Sequence, residues 1–168
     1  MKKIILLLLI AFSTRFYAQE NPRIEFNSKS ELLVNNQLIN NQTTFSKIVE
    51  LLGNPELIKE SKAGVKSYHY SKFGIALKMY KDKLTMIGFN YNWDGDKTFP
   101  STSFTGVLVI GKTQIDTNTN KDFMKSNSFL TFDNLFLELF AAKTKNSIVM
   151  VGFKENKITQ LGFEFKPE

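Results

Sequence analysis

Two nine-residue stretches of this chain are versions of one strand. KLTMIGFNY (83–91) and KITQLGFEF (157–165) share Lys, Thr, Gly and Phe at matched positions. Leu/Ile, Ile/Leu and Tyr/Phe exchange like for like at three others. Both alternate with period two, the mark of a strand with one buried face. A chain with two copies of one strand must give both the same kind of surroundings, so the spacing 157 − 83 = 74 predicts a duplicated unit. Segments upstream agree at a similar spacing. ELLVNNQLI (31–39) resembles GVLVIGKTQI (106–115), with Leu33-Val34 against Leu108-Val109, an offset of 75. Each reads as strand, tight turn and strand, with Asn35-Asn36 and Gly111 supplying residues that tolerate positive φ.

Thr/Asn-rich caps follow in both copies, NNQTTF (40–45) and DTNTNKDF (116–123). After the first cap, Phe45, Ile48, Val49 and Leu52 recur at helical spacing. Thr44 is placed to cap the helix, Gly53 to take the left-handed C′ position, and Pro55 to stop it. The equivalent helix near Asn120–Ser126 is short and poorly patterned. VKSYHY, GIALKMY and LTMIGFNY then form a meander turning at Lys81-Asp82-Lys83. NSFLTF, LFLELFA, SIVMVGF and ITQLGFEF repeat the theme, turning at Lys154-Glu155-Asn156. LFLELFA fits a helical turn as well as a strand, because a short apolar run does not show its period. The expected fold is therefore α+β: two tandem copies of a helix-plus-antiparallel-sheet unit, helices packed on one sheet face. The boundaries are a first repeat over 19–91, a linker over 92–103 rich in Gly, Pro, Asp and Ser, and a second repeat over 104–168.

Thr85, Ile87, Phe89 and Tyr91, with Thr159, Leu161, Phe163 and Phe165, are the expected core face. The opposite face of copy two, Ile158, Gln160, Gly162 and Glu164, suits water. That of copy one, Leu84, Met86, Gly88 and Asn90, is more apolar than water requires. With Lys78 and Tyr80 on the same side, and Tyr68 and Tyr70 on the preceding strand, it forms a candidate binding patch. Trp93, the one tryptophan, is a further binding candidate or a cover for the junction between copies.

The N-terminus, MKKIILLLLIAFSTRFYAQE, sets two lysines before a short apolar run and a small residue at Ala18. That is the pattern of a secretory signal peptide over 1–18, too short for a membrane span. Cleavage there leaves 168 − 18 = 150 residues with no membrane anchor, exported to the periplasm or beyond. The chain has no cysteine, hence no disulfide, thiolate metal site or lipid-modifiable thiol. Its formal charge of +6 includes Lys2, Lys3 and Arg15; without them 19 basic residues face 16 acidic, or +3. The lysines are scattered and offer no nucleic-acid stripe. One histidine, His69, cannot build a multi-histidine metal site, and Asp94-Gly95-Asp96 lacks the distal Glu of a calcium loop. Phosphate-loop, nucleophile-elbow and zinc-helix motifs do not occur, so no catalytic residue, metal or cofactor is expected.

Signal peptide, TTFSKIVELLGNPE and YHYSKFGIALKMYKDKLTMIGFNY together resemble an uncharacterised domain-of-unknown-function family of small secreted bacterial proteins. In architecture the chain is similar to the tandem-repeat β-lactamase inhibitor protein fold and to outer-membrane assembly lipoproteins. That resemblance implies a protein-binding role through an open sheet face, although no cysteine is present to lipidate or to bridge loops. The expected function is an exported, non-enzymatic module binding another protein, of inhibitor or immunity type. The alternatives are an envelope assembly or structural factor, or a ligand carrier or enzyme with a pocket between the repeats.

Overall fold

The computed structural model describes residues 21–92 and 99–166. The expected leader, Trp93 and the Asp94-Gly95-Asp96 turn lie outside them. In chain order the described elements are β1 (Arg23–Phe26), β2 (Leu32–Val34), β3 (Gln37–Ile39), α1 (Phe45–Leu52), β4 (Leu57–Glu60), β5 (Val65–Tyr70), β6 (Ile75–Tyr80) and β7 (Lys83–Asn90). They continue with β8 (Val107–Ile110), β9 (Thr113–Ile115), α2 (Phe123–Ser126), β10 (Asp133–Phe136), β11 (Leu139–Lys143), β12 (Ser147–Lys154) and β13 (Lys157–Phe165).

The first helix, α1, forms where its periodicity placed it. The Thr44 hydroxyl accepts from the Lys47 amide at 3.4 Å. Gly53 sits at φ 77 with its amide bonded to the Val49 carbonyl. Ile48, Leu51 and Leu52 are the buried face. Its counterpart α2 is a four-residue turn with no side-chain cap.

The expectation of an α+β unit with helices layered on a sheet is overturned. The described chain is 48% strand and 9% helix, in a β-sandwich-like arrangement of two sheets. The larger is antiparallel in the order β10-β11-β12-β13-β7-β6-β5-β4, the smaller β3-β2-β1-β8-β9. What covers the large sheet is mainly the small one. Phe26 of β1 meets Phe163 of β13 with ring centroids 4.9 Å apart. Ile24, Leu32, Val34, Leu108 and Ile110 line the same buried side. The reason is RIEF, the β1 segment, which the sequence reading left unassigned. It pairs antiparallel with β2 and parallel with β8, joining two hairpins that would be marginal alone into one sheet large enough to cap a core.

β7 and β13 are neighbours at the centre of the large sheet, with Gly88 opposite Gly162, Ile87 opposite Phe163 and Phe89 opposite Leu161. All four of those large side chains are fully buried. One detail of the alternation is corrected. Met79 pairs with Leu84 while Lys78 pairs with Met86, so Thr85 is an inserted bulge residue. The β12–β13 ladder skips Thr159 in the same way. Each bulge resets the alternation, so Leu84 and Ile158 turn inward and are fully buried, where the sequence pattern sent them outward.

Turn chemistry is local and follows expectation. Asn35-Asn36, Lys81-Asp82 and Glu155-Asn156 all take positive φ, as two-residue hairpin turns require. By turn position Val34 answers to Ile110, an offset of 110 − 34 = 76, one more than the sequence alignment gave. NSFLTF is not a strand; Leu130 from it enters the core. LFLELFA is neither one strand nor a helical turn, because a hairpin closes inside it, Phe136 pairing with Leu139.

Candidate functional site

The candidate residues Lys78 and Met86 lie on the face of the large sheet turned away from the small one. Its residues follow from register. Facing Gly88 and Gly162 across the ladders are Ala76 on β6 and Met150 on β12, and beyond these His69 on β5 and Ala141 on β11. The two central strands of this row, and Ala76 beside them, thus carry only small residues, while Met150 and His69 flank them. Beside it run Lys78, Met86, Glu164 and Ile148, paired in that order.

Part of this face, around Gly88, is roofed by the chain itself. A Cβ built on Gly88 would lie 2.5 Å from Phe99 Cε1, so the Phe99 ring sits directly over that glycine. The segment after Phe99 is tied down by Asn90, whose side-chain amide donates to the Pro100 carbonyl at 2.8 Å and to Thr102 at 3.2 Å. The corresponding Cβ on Gly162 meets only backbone at 3.4 and 3.8 Å and the Met86 methyl at 3.9 Å. Toward β10, the face shows partly exposed Ile148, Met150 and Leu139 and the exposed Phe136.

The candidate binding residues divide. Tyr68 and Tyr70 are in the core and cannot extend a surface patch. The β5 alternation turns them inward: Tyr68 stacks on Phe45 at 4.4 Å, and the Tyr70 hydroxyl donates to the Gly53 carbonyl at 3.1 Å, tying the end of α1 to the sheet. Burial, with Glu56 adding, pushes the Tyr70 hydroxyl far above its ordinary range; burial, with Asp82 and Glu60 adding, raises that of Tyr68. Both are neutral structural groups. Lys78 and Met86 are opposite one another on the outer face and partly exposed. Tyr80 is exposed and opens on a surface cleft of about 380 Å³ shared with Lys83, Thr85 and Glu164. Trp93 is outside the described residues.

Sequence reasoning missed Ile148, Met150, Leu139 and Phe136. A signal was present in SIVMVGF, which is apolar at both parities. A strand that reads as a continuous apolar run is one covered on both sides; here Val149, Val151 and Phe153 face the core, and Ile148 and Met150 face outward. The more apolar half of the outer face is thus the β10–β12 side, where the sequence reading placed it on β6–β7.

His69 lies on this face beside Ala76 and Leu57 and is buried, only 4% exposed. Burial, then Lys59, lowers its pKa, so it is neutral at pH 7. Among the described residues no three His, Asp or Glu side chains are grouped to hold a metal ion.

None of the curated proteins matches the chain. A solved structure of an extracellular protein containing a SCP domain, from Bacillus anthracis str. Ames, is similar at a TM-score of 0.49 and 10% identity, over 74% of this chain and 44% of that one. The chain thus spans less than half the length of that protein. One family match covers residues 23–125, from the first strand of the small sheet into α2, more than half of the chain. On that match the chain belongs to the family described as Domain of unknown function (DUF7738).

Proposed function

We propose that the chain is an exported, non-enzymatic module that binds another protein on the outer face of its large sheet. The observation that carries this reading is the apolar β10–β12 side of that face, with Ile148, Met150 and Leu139 partly exposed and Phe136 exposed. Soluble proteins seldom leave one strand apolar on both sides without a partner for the second. Met86, Met150 and Phe136 are residue types enriched in buried interface cores. The roof over Gly88 supports the same choice of side, because it withdraws part of the β6–β7 region from contact.

A duplicated architecture fits the same reading, as two related halves sharing one core. Gly88 faces its own counterpart, both final hairpins are bulged at the matched Thr85 and Thr159, and the sheet order reads alike from both ends. A dyad through Gly88 and Gly162 would relate β2 to β8 in opposite directions. A strand between them must then be antiparallel to one and parallel to the other, as β1 is.

The test is capture from an envelope extract of the source cell, comparing wild type with Ile148→Glu/Met150→Glu and with Lys78→Glu/Tyr80→Ala. Loss of a specific partner in the first variant, with thermal stability kept, is the expected result. Capture unchanged in both would remove this face. A partner that fractionates with membrane complexes would identify an envelope assembly factor, and a secreted or toxic one an inhibitor or immunity protein. Export is tested by intact mass: the native protein should lack about eighteen residues.

A further inference from the structure

The carboxamide of Asn127 is only half used. The residue follows α2 directly and is 5% exposed. Its Nδ2 donates to the Phe123 carbonyl at 3.2 Å and to Ser126 Oγ at 3.3 Å. The Ser126 hydroxyl gives its own proton to the same carbonyl at 2.7 Å. These partners fix which end of the amide is nitrogen, since a flipped group would set carbonyl against carbonyl. Capping α2 therefore explains the nitrogen and leaves the oxygen. Oδ1 has no donor among the described residues. It points toward Gly111, where an added Cβ would lie 3.0 Å from it. A buried side-chain oxygen is seldom left in that condition.

The other hairpin of the small sheet shows the closed alternative. At the β2–β3 turn, Asn35 Oδ1 accepts from the Arg23 amide at 2.9 Å, and Asn35 Nδ2 donates to the Leu51 carbonyl of α1 at 3.1 Å. One amide there ties turn, strand and helix together with both ends satisfied. At the β8–β9 turn the matching position is Gly111, at φ 61. The amide that approaches it from the helix side finds no donor. What remains is a cavity of about 410 Å³ at the end of the small sheet, within the range of small-ligand sites. Gly111 keeps it open, because a Cβ there would also lie 2.7 Å from Phe129 Cε1. The Phe129 ring is partly exposed on the cavity wall and backed by Phe26, 6.2 Å away between centroids. Ser28 and Ser128 line the rim, exposed, their hydroxyls without a partner among the described residues.

This set of groups selects a ligand. A buried acceptor calls for an O–H or N–H donor and disfavours an anion. An ammonium ligand would call for a carboxylate, and the one charged side chain among the described lining residues is Lys112. Hydroxyls that both give and accept match those of a neutral polyol, and the negative face of an aromatic ring suits the C–H face of a sugar. We propose that this cavity is a saccharide-binding site. One sugar hydroxyl donates to Asn127 Oδ1, others meet Ser28 and Ser128, and the sugar ring lies against Phe129. The site belongs to the small sheet and does not rest on the outer-face reading.

The experiment is an amide NMR titration of the isotope-labelled protein with glucose, galactose, mannose and N-acetylglucosamine, with glycylglycine and inorganic phosphate as controls. At least one sugar should bind saturably in the millimolar range and shift the Asn127 side-chain amide and the Gly111 backbone amide. Among the single-deoxy analogues of that sugar, one should bind about tenfold or more weakly, having lost the hydroxyl that reaches Oδ1. Ser28→Ala/Ser128→Ala removes only exposed hydroxyls; it should weaken binding about threefold or more with Tm unchanged. Lys112→Ala should leave sugar binding as it is. Asn127→Leu should abolish it, and where that variant fails to fold the deoxy series and the serine pair decide alone. No saturable shift with any of these sugars, shifts confined to another surface, equal binding of glycylglycine, or phosphate binding that Lys112→Ala removes would each overturn the proposal.

Discussion

Gly88 and Gly162 are matched in sequence and paired in space, yet replacing each by alanine should have opposite effects. Neither has a left-handed φ, so alanine can adopt both backbones. Gly→Ala at a compatible site gains about 0.4–1 kcal/mol by restricting the unfolded chain. At Gly162 that gain should survive, since the new methyl meets backbone no closer than 3.4 Å. At Gly88 the methyl would lie 2.5 and 2.8 Å from Phe99 Cε1 and Cζ and 3.1 Å from the Met86 methyl. The ring must leave its seat, and overpacking of this kind costs about 1–3 kcal/mol. Gly88→Ala should therefore fall below Gly162→Ala by about 1–3 kcal/mol, or several degrees in Tm at about 2–4 °C per kcal/mol. Guanidinium unfolding of both variants, alone and with Phe99→Ala, measures it. In the Phe99→Ala background Gly88→Ala should become as favourable as Gly162→Ala, the coupling energy reporting the ring contact. Equal midpoints for the two glycine variants with Phe99 present would refute the roof over Gly88, and with it that support for the choice of side.

Phe163→Ala should cost about 3–5 kcal/mol, because the ring is fully buried against Phe26 of the facing sheet and lies 6.3 Å from Phe89; urea unfolding checks this, and a cost under about 1 kcal/mol would contradict a core shared by the sheets. Deleting Thr85 removes a bulge and forces Leu84 outward; stability should drop by about 1.5–3 kcal/mol for the lost burial, whereas a deletion without effect would place the register elsewhere. His69 has a folded pKa below its unfolded one, so its neutral form favours folding. Stability should be complete above about pH 6.5 and fall as the pH drops through that value, since the unfolded chain then binds the extra proton. His69→Gln should flatten the decline between pH 7 and 5.5, and an unchanged slope would assign it to other groups.

The candidate face was half legible. Lys78 and Met86 do share one surface, although which face of β6 matches which face of β7 is set by their pairing and not by alternation within either strand. Tyr68 and Tyr70 were taken for surface residues, because the parity of β5 relative to β6 is set by pairing: Tyr68 faces Leu77 and Tyr70 faces Ile75, both core positions. Ile148 and Met150 were overlooked, since an apolar run does not say which of its two faces is covered.

What the sequence determined by itself is local and periodic. It fixed the duplicated strand and the burial of Ile87, Phe89, Leu161 and Phe163, the capped helix from Thr44 to Gly53, and the turns at Asn35-Asn36, Lys81-Asp82 and Glu155-Asn156. Each depends on side-chain spacing or on φ preference within a few residues. Only tertiary structure decided what the large sheet packs against, that β7 and β13 pair at its centre, and that Thr85 and Thr159 invert the alternation before them. These outcomes depend on hydrogen bonds between strands far apart in the chain. A strand's own residues state which side is apolar, but its partner and register are chosen by the core that all the strands must close together.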